Sequence, residues 1–221
     1  MTHNQHQPIL KKLSLLMLLS CLSFLLTAQP GATPPKEEIT AYQKETAAAH
    51  RNAGAQFFED ELYEDAIKEF TKAIEANPYD RLAWYNRAVS NVKMDNKEGA
   101  IRDLSEVLKL EPGFVAALYY RATLYYQDEE FKRSRADFNS IISLRPHDAL
   151  MYRKRGTVKY QMNDKNGALR DYNEAIVINP EDPIAFHDRG VTRQYLGDKK
   201  GAKADFDMAK ELEIKEALRK K

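Results

Sequence analysis

The 221-residue chain has a single cysteine, Cys21, one tryptophan and nine glycines, and its charges nearly cancel, with 34 Lys and Arg against 33 Asp and Glu. Each shortage excludes something. One thiol cannot close an intramolecular disulfide, and Cys21 lies in a stretch that reads as removable, so disulfide stapling and thiol catalysis are both set aside. Without surplus positive charge there is no broad electrostatic footprint for nucleic acid or for an anionic membrane surface. No Gly-rich phosphate loop follows a strand, because no segment is strand-like. Long apolar runs are equally scarce: the one from Leu13 to Leu26 is shorter than the roughly 20 residues that a membrane-crossing helix needs.

That run follows Lys11 and Lys12 and precedes Thr27 and Ala28, the pattern of a secretory signal peptide over residues 1–28, cut after Ala28. A second route is also written there. Leu18-Leu19-Ser20-Cys21 resembles the lipobox at which bacterial lipoproteins are cut and lipidated, although Leu22 to Leu26 keep the stretch apolar where lipoproteins turn polar. The expectation is export to the periplasm or the cell exterior, with membrane attachment only if Cys21 is lipidated. The presequence is expected to be disordered or separate up to about residue 34.

Beyond a linker from Gln29 to Pro35, prolines stand at 78, 112, 146 and 180, each 34 residues from the last. Written in rows of that length, the chain gives 47–80, 81–114, 115–148, 149–182 and 183–216. Row position 8 holds Gly54, Ala88, Ala122, Gly156 and Gly190, and position 20 holds Ala66, Ala100, Ser134, Ala168 and Ala202. All ten are small, as required where two helix backbones approach to about 8–10 Å. Position 24 reads Phe70, Leu104, Phe138, Tyr172 and Phe206, and position 27 reads Ala73, Val107, Ile141, Ala175 and Ala209. Stacked rows bury these columns as one continuous core.

The period and the run Ala66-Ile67, Phe70, Ala73-Ile74, Asn77-Pro78 resemble the tetratricopeptide-repeat family, in an exported bacterial form. The resemblance implies an all-α solenoid, a right-handed superhelix of antiparallel helix pairs with about five repeats and a C-terminal helical extension. Its domains are a signal peptide (1–28), a linker with the start of the N-terminal helix (29–46), the five repeats (47–216) and a charged tail (217–221). The departures are Trp84, the family's position-4 tryptophan in the second row alone, and Ile214, where the other rows carry proline. Lacking that stop, the last helix is expected to run through Leu218. Thr33, Pro34, Glu37 and Glu38 read as a helix start, which puts the first helix near Pro35.

Catalytic chemistry has little to stand on. His50, His147 and His187 fall at different row positions with no metal-ligand spacing, and acidic pairs such as Glu59-Asp60 and Glu129-Glu130 fall in turns. No cofactor, metal site or small-molecule substrate is expected. One polar pattern is too regular for a surface: Arg87, Arg121, Arg155 and Arg189 at position 7 against Asp103, Asp137, Asp171 and Asp205 at position 23. The first row keeps an acid, Glu69, but has Ala53 for the arginine. In an antiparallel hairpin the two columns lie level, and the spacing predicts each arginine between two carboxylates, one from its own row and one from the row before. The structural reading is a register-setting ion-pair ladder.

By resemblance, positions 2, 5, 6, 9, 12 and 13 line the concave face where partner peptides lie. They include Arg51, Asn52 and Phe58, then Tyr85, Asn86 and Lys93, then Tyr119, Tyr120 and Tyr126. The fourth row adds Arg153, Lys154 and Tyr160, and the fifth His187, Asp188 and Tyr195. Tyrosines with scattered basic groups suit a polypeptide ligand, with Arg153 and Lys154 reading an acidic group on it. The expected function is an exported scaffold or adaptor. Two alternatives stand beside it: an enzyme or enzyme-complex subunit using groove residues such as His187 and Asp188, and a carboxylate-clamp co-chaperone. The clamp is disfavoured, since Arg51 and Asn86 match its pattern while Ala55, Ala116 and Tyr120 do not.

Overall fold

The computed structural model describes residues 35–219; the expected signal peptide and the Cys21 motif lie outside them. Ten α-helices follow in order: α1 (Ala41–Glu59), α2 (Tyr63–Ala76), α3 (Arg81–Lys93), α4 (Lys97–Leu110), α5 (Val115–Gln127), α6 (Phe131–Leu144), α7 (Ala149–Gln161), α8 (Lys165–Ile178), α9 (Pro183–Tyr195) and α10 (Lys199–Arg219). No strand occurs among the described residues. The first helix does not begin near Pro35. Lys36–Glu38 form a single 3₁₀ turn, and Ile39 is extended at φ −69°, ψ 110°, which interrupts the helix-start signal before Ala41. At the other end α10 runs on to Arg219, with Ile214 inside it.

The columns found in the sequence form the core. Ala66, Ala100, Ser134, Ala168 and Ala202 are buried, as are Phe70, Leu104, Phe138 and Tyr172 and the whole of position 27. A Cβ on Gly156 would fall 2.8 Å from the Tyr172 ring, and one on Gly54 or Gly190 would fall 2.7 Å from Phe70 or Phe206. A large ring at position 24 thus occupies the space that a small residue at position 8 vacates. Position 28 supplies Ile74, Leu108, Ile142 and Ile176 to the seam between repeats, but the last repeat has exposed Lys210 there.

Each hairpin turns through one left-handed residue at position 15: Glu61, Asp95, Glu129, Asn163 and Gly197, with φ of 60°, 56°, 58°, 63° and 86°. The next amide then reaches back to the carbonyl at position 11, as from Asn96 to Asn91 and from Glu130 to Tyr125, satisfying the end of the first helix. Aspartates and asparagines cap the following helices. Asn96, Asp164 and Asp198 accept from Gly99, Gly167 and Gly201, while Asp80 and Asp182 accept from the amides two and three residues on.

Only one of the five left-handed positions is a glycine, although a side chain there costs about 1–2 kcal/mol. Nothing lies within 4 Å of the site that a Cβ on Gly197 would take, so Gly197→Ala isolates this backbone term. It should lower stability by about 1 kcal/mol. Glu129→Gly should change it in the opposite sense, by less, because glycine adds unfolded-state entropy. Urea midpoints of the two variants check both signs.

Candidate functional site

The arginine ladder is built inside each repeat. Arg87, Arg121, Arg155 and Arg189 each donate through Nε and Nη2 to both oxygens of Asp103, Asp137, Asp171 and Asp205, at 2.7–3.0 Å. The aspartates are buried. The third nitrogen does not meet a second carboxylate. Nη1 donates to the preceding repeat at position 25: Thr71 and Ser105 hydroxyls at 3.0 Å, Asn139 and Asn173 amide oxygens at 2.9 Å. The expected second acid fails for a geometric reason. Positions 23 and 25 are about 200° apart around a helix, so a position-23 side chain aimed into its own hairpin cannot also face the next. That face belongs to position 25.

Two further layers hold the same groups. The guanidinium of Arg87 lies over Trp84, that of Arg155 over Tyr152 and that of Arg189 over Phe186, with centroid distances of 4.9, 5.3 and 5.3 Å. Position 11 adds a second donor to three of the aspartates: Asn91 to Asp103 at 3.2 Å, Lys159 to Asp171 at 2.8 Å, Arg193 to Asp205 at 2.9 Å. The third repeat has Tyr125 there instead, so among the described residues Arg121 is the only cation that bonds Asp137. The Asp137 bond in turn holds the Arg121 guanidinium above its ordinary pKa, against desolvation. In the first repeat His50 replaces the arginine, with Nδ1 2.7 Å from Glu69, which also receives Lys72 at 2.6 Å. Chiefly the Lys72 bond, and then His50, hold the Glu69 carboxyl below the usual range.

The concave residues divide into those that pack and those that stay open. Position 5, expected to line the concave face, is engaged with position 34 of its own row in three of the five rows. Arg51 bonds Asp80, the Nε of Arg153 lies 2.9 Å from Asp182 without hydrogen-bond alignment, and Tyr85 meets Phe114 edge to face at 5.2 Å. Arg153 is therefore largely neutralised within the chain and is not a free reader of acids. Tyr119 packs on buried Phe138 at 6.4 Å, and Tyr126 on Phe131 at 5.6 Å. Tyr160 and the exposed Tyr195 flank the Lys165 ammonium, 3.2 and 4.8 Å from the two ring centroids. His187 is exposed, tilts over Phe206 and lies 3.6 Å from Asp188, whose carboxyl burial pushes above its ordinary pKa. Asn52 is exposed, and Lys93 is exposed at the end of α3.

What remains open is a cleft of about 250 Å³ between α1, α3 and α5, lined by Ala55, Phe58, Tyr85, Asn86, Val89 and Tyr120, with Glu59 at its rim. Burial raises the Tyr85 phenol pKa, with a smaller contribution from Tyr120, so this is a partly dry surface. A smaller cleft of about 80 Å³ lies between α5 and α7, lined by Thr123, Tyr126, Phe138, Lys154, Thr157 and Val158. Among the described residues no cluster of three His, Cys, Asp or Glu side chains could hold a metal, and no helix is long and apolar enough to cross a membrane.

An all-helical stack of 34-residue hairpins with small-against-large columns and an open concave face defines a class of repeat scaffold. A tetratricopeptide-repeat family model matches residues 85–149. Hsp70-Hsp90 organizing protein 1 of Arabidopsis thaliana is 46% identical over 44 residues, which span 20% of this chain and 8% of that protein. Among solved structures, MamA protein aligns with a TM-score of 0.74 at 22% identity over 79% of this chain and 95% of that one. MamA from Desulfovibrio magneticus gives 0.72 at 19% over 77% and 96%, and Pseudomonas aeruginosa pilF gives 0.63 at 16% over 76% and 77%. These structural likenesses carry the fold. Residues 85–149 are thus similar to the tetratricopeptide-repeat family, and the described residues have the all-helical repeat fold of such solenoids.

The unequal support of the four aspartates generates an ordering. Arg121→Ala strands Asp137 with no other cation and should cost about 2–4 kcal/mol. Arg155→Ala and Arg189→Ala should cost less, since Lys159 and Arg193 remain, with Arg87→Ala between them. Denaturation of the four variants tests the order; equal losses would refute the account of position 11. The pH dependence of the first repeat has a definite sign. A depressed Glu69 pKa stabilises fully above the unfolded value, about 4.3, and that contribution is lost as pH falls through the lower folded value. Glu69→Gln should remove this acid sensitivity, read by exchange protection of α1 and α2.

Proposed function

We propose that this protein is a scaffold or adaptor that binds a polypeptide segment along its concave face, in the cell envelope or outside the cell. The observation that carries the reading is the cleft between α1, α3 and α5. Its rings Phe58, Tyr85 and Tyr120 are half-buried and leave part of their area open to the cleft, while the ladder aspartates and the small columns are closed. Large rigid rings contribute binding area at low entropic cost, and such rings dominate interface energetics. Proteins of this repeat family generally bind other proteins or peptides and are generally not enzymes. The placement outside the cytoplasm rests on the Lys11-Lys12 charge and the apolar run of residues 13–26.

Tyr120 is the cleaner probe, because Tyr119 also packs on Phe138 and its loss would disturb the core. Tyr120→Ala should weaken the native partner by on the order of 2 kcal/mol while lowering the thermal melt less than Tyr119→Ala does. Affinity purification from native envelopes followed by titration measures this; undiminished binding would place the interface on another face. Mass analysis of the mature protein's N-terminus decides the processing route, Gln29 for ordinary cleavage and a lipidated Cys21 for the lipoprotein.

A further inference from the structure

Most cations near the concave face are answered within the chain. Arg51 and Arg153 lie on the cap aspartates, Arg81 on Glu111, Lys159 and Arg193 on the ladder, and Lys165 on the carbonyl of Tyr160 at 2.6 Å. Lys154 differs. It is half-buried at position 6 of the fourth repeat, and no described carboxylate pairs with it. A ligand carboxylate would give that side chain the charge-assisted partner it lacks among the described residues.

The polar groups that line the cleft beside Lys154 differ in what they have left to offer a ligand. Thr123 and Thr157 donate their hydroxyl protons to the carbonyls of Tyr119 and Arg153. The Tyr126 oxygen accepts from Gln161 at 3.4 Å, which leaves its own proton to donate. Two donors, the Lys154 ammonium and the Tyr126 phenol, thus face a space of about 80 Å³, room for a few heavy atoms such as a carboxylate. The cleft of about 250 Å³ is larger than the roughly 150 Å³ that takes a benzene-sized guest, which suits one bulky apolar side chain. One repeat beyond Lys154, the same row position carries Asp188, which disfavours an acid there.

We propose that the bound segment carries a bulky apolar side chain seated between Phe58, Tyr85 and Tyr120 and, at a fixed spacing from it, an Asp or Glu side chain whose carboxylate bonds Lys154 and Tyr126. This rests on the concave-face reading above. The acid is assigned to an internal side chain because the stack continues through α9 beyond Lys154, so a segment lying along the concave face runs on past it; a chain-end carboxylate offers the same two oxygens, and amidation separates the two.

The experiment is selection of a displayed random-peptide library on the full chain and on Lys154→Glu, with the enriched peptides then titrated individually. Wild type should enrich peptides with Asp or Glu at constant spacing from a large apolar residue. Lys154→Glu should keep the apolar residue and exchange the acid for Lys or Arg. In titration, Lys154→Glu should weaken an enriched acidic peptide at least tenfold, an acid-to-lysine peptide should recover the loss, and Tyr126→Phe should weaken binding without altering the melt. Amidation of the peptide C-terminus should leave affinity unchanged. Identical peptides from both proteins, or loss of binding on amidation, would overturn the proposal while leaving the scaffold reading in place. No enrichment by wild type would overturn both.

Discussion

From the second repeat to the fifth, the stack depends on one guanidinium per repeat. At position 7 an arginine closes its own hairpin through two bonds to an aspartate and reaches the previous hairpin through a third, while an aromatic ring three residues earlier covers its face in three of the four cases. A lysine at the same place lacks the planar fork that makes these bonds together. The ion pair need not add much net stability, because desolvation offsets attraction. What it does is penalise every other register, since a hairpin shifted by one residue leaves an aspartate buried without its partner.

The core answers to a second constraint, the close approach of the helices in each pair. Gly54, Gly156 and Gly190 let rings from position 24 lie against bare backbone, and Ala122 opposite Phe138 shows that one methyl group is tolerated. With registry and spacing both set by residues within the hairpins, the outer surface of the first helices is free to vary. That is where tyrosines and the unanswered Lys154 collect, although the position-5 tyrosines Tyr85 and Tyr119 also pack there, on Phe114 and Phe138.

The sequence made the repeats, the small and large columns and the two ladder columns legible, because identical or similar residues recur at a fixed interval. Position 25 was not legible as the ladder's third contact. Its Thr71, Ser105, Asn139 and Asn173 share only an acceptor oxygen, which looks like ordinary surface polarity. Position 5 misled for a different reason: Asp80 and Asp182 read as helix caps, and they are, yet the same carboxylates also meet Arg51 and Arg153. Residue type marks the left-handed turn only in part, since Gly197, Asn163 and Asp95 are types that adopt it readily while Glu61 and Glu129 are not. The apolar cleft emerges only when α1, α3 and α5 are set side by side.

The two kinds of bond made by each guanidinium differ in how choosy they are. Inside a hairpin the partner is always aspartate where arginine is present, whereas across the joint a hydroxyl or an amide serves equally well. The Arg-Asp and Tyr-Phe pairs of positions 5 and 34 also close within one row. A row therefore carries its demanding contacts with it and presents a permissive joint to its neighbour. Genetic duplication or exchange of whole rows would preserve the fold while reordering the side chains that face a partner. Lys210 fixes one limit on such growth: a new unit can enter ahead of the fifth row, but one added after it would have to bury a charge.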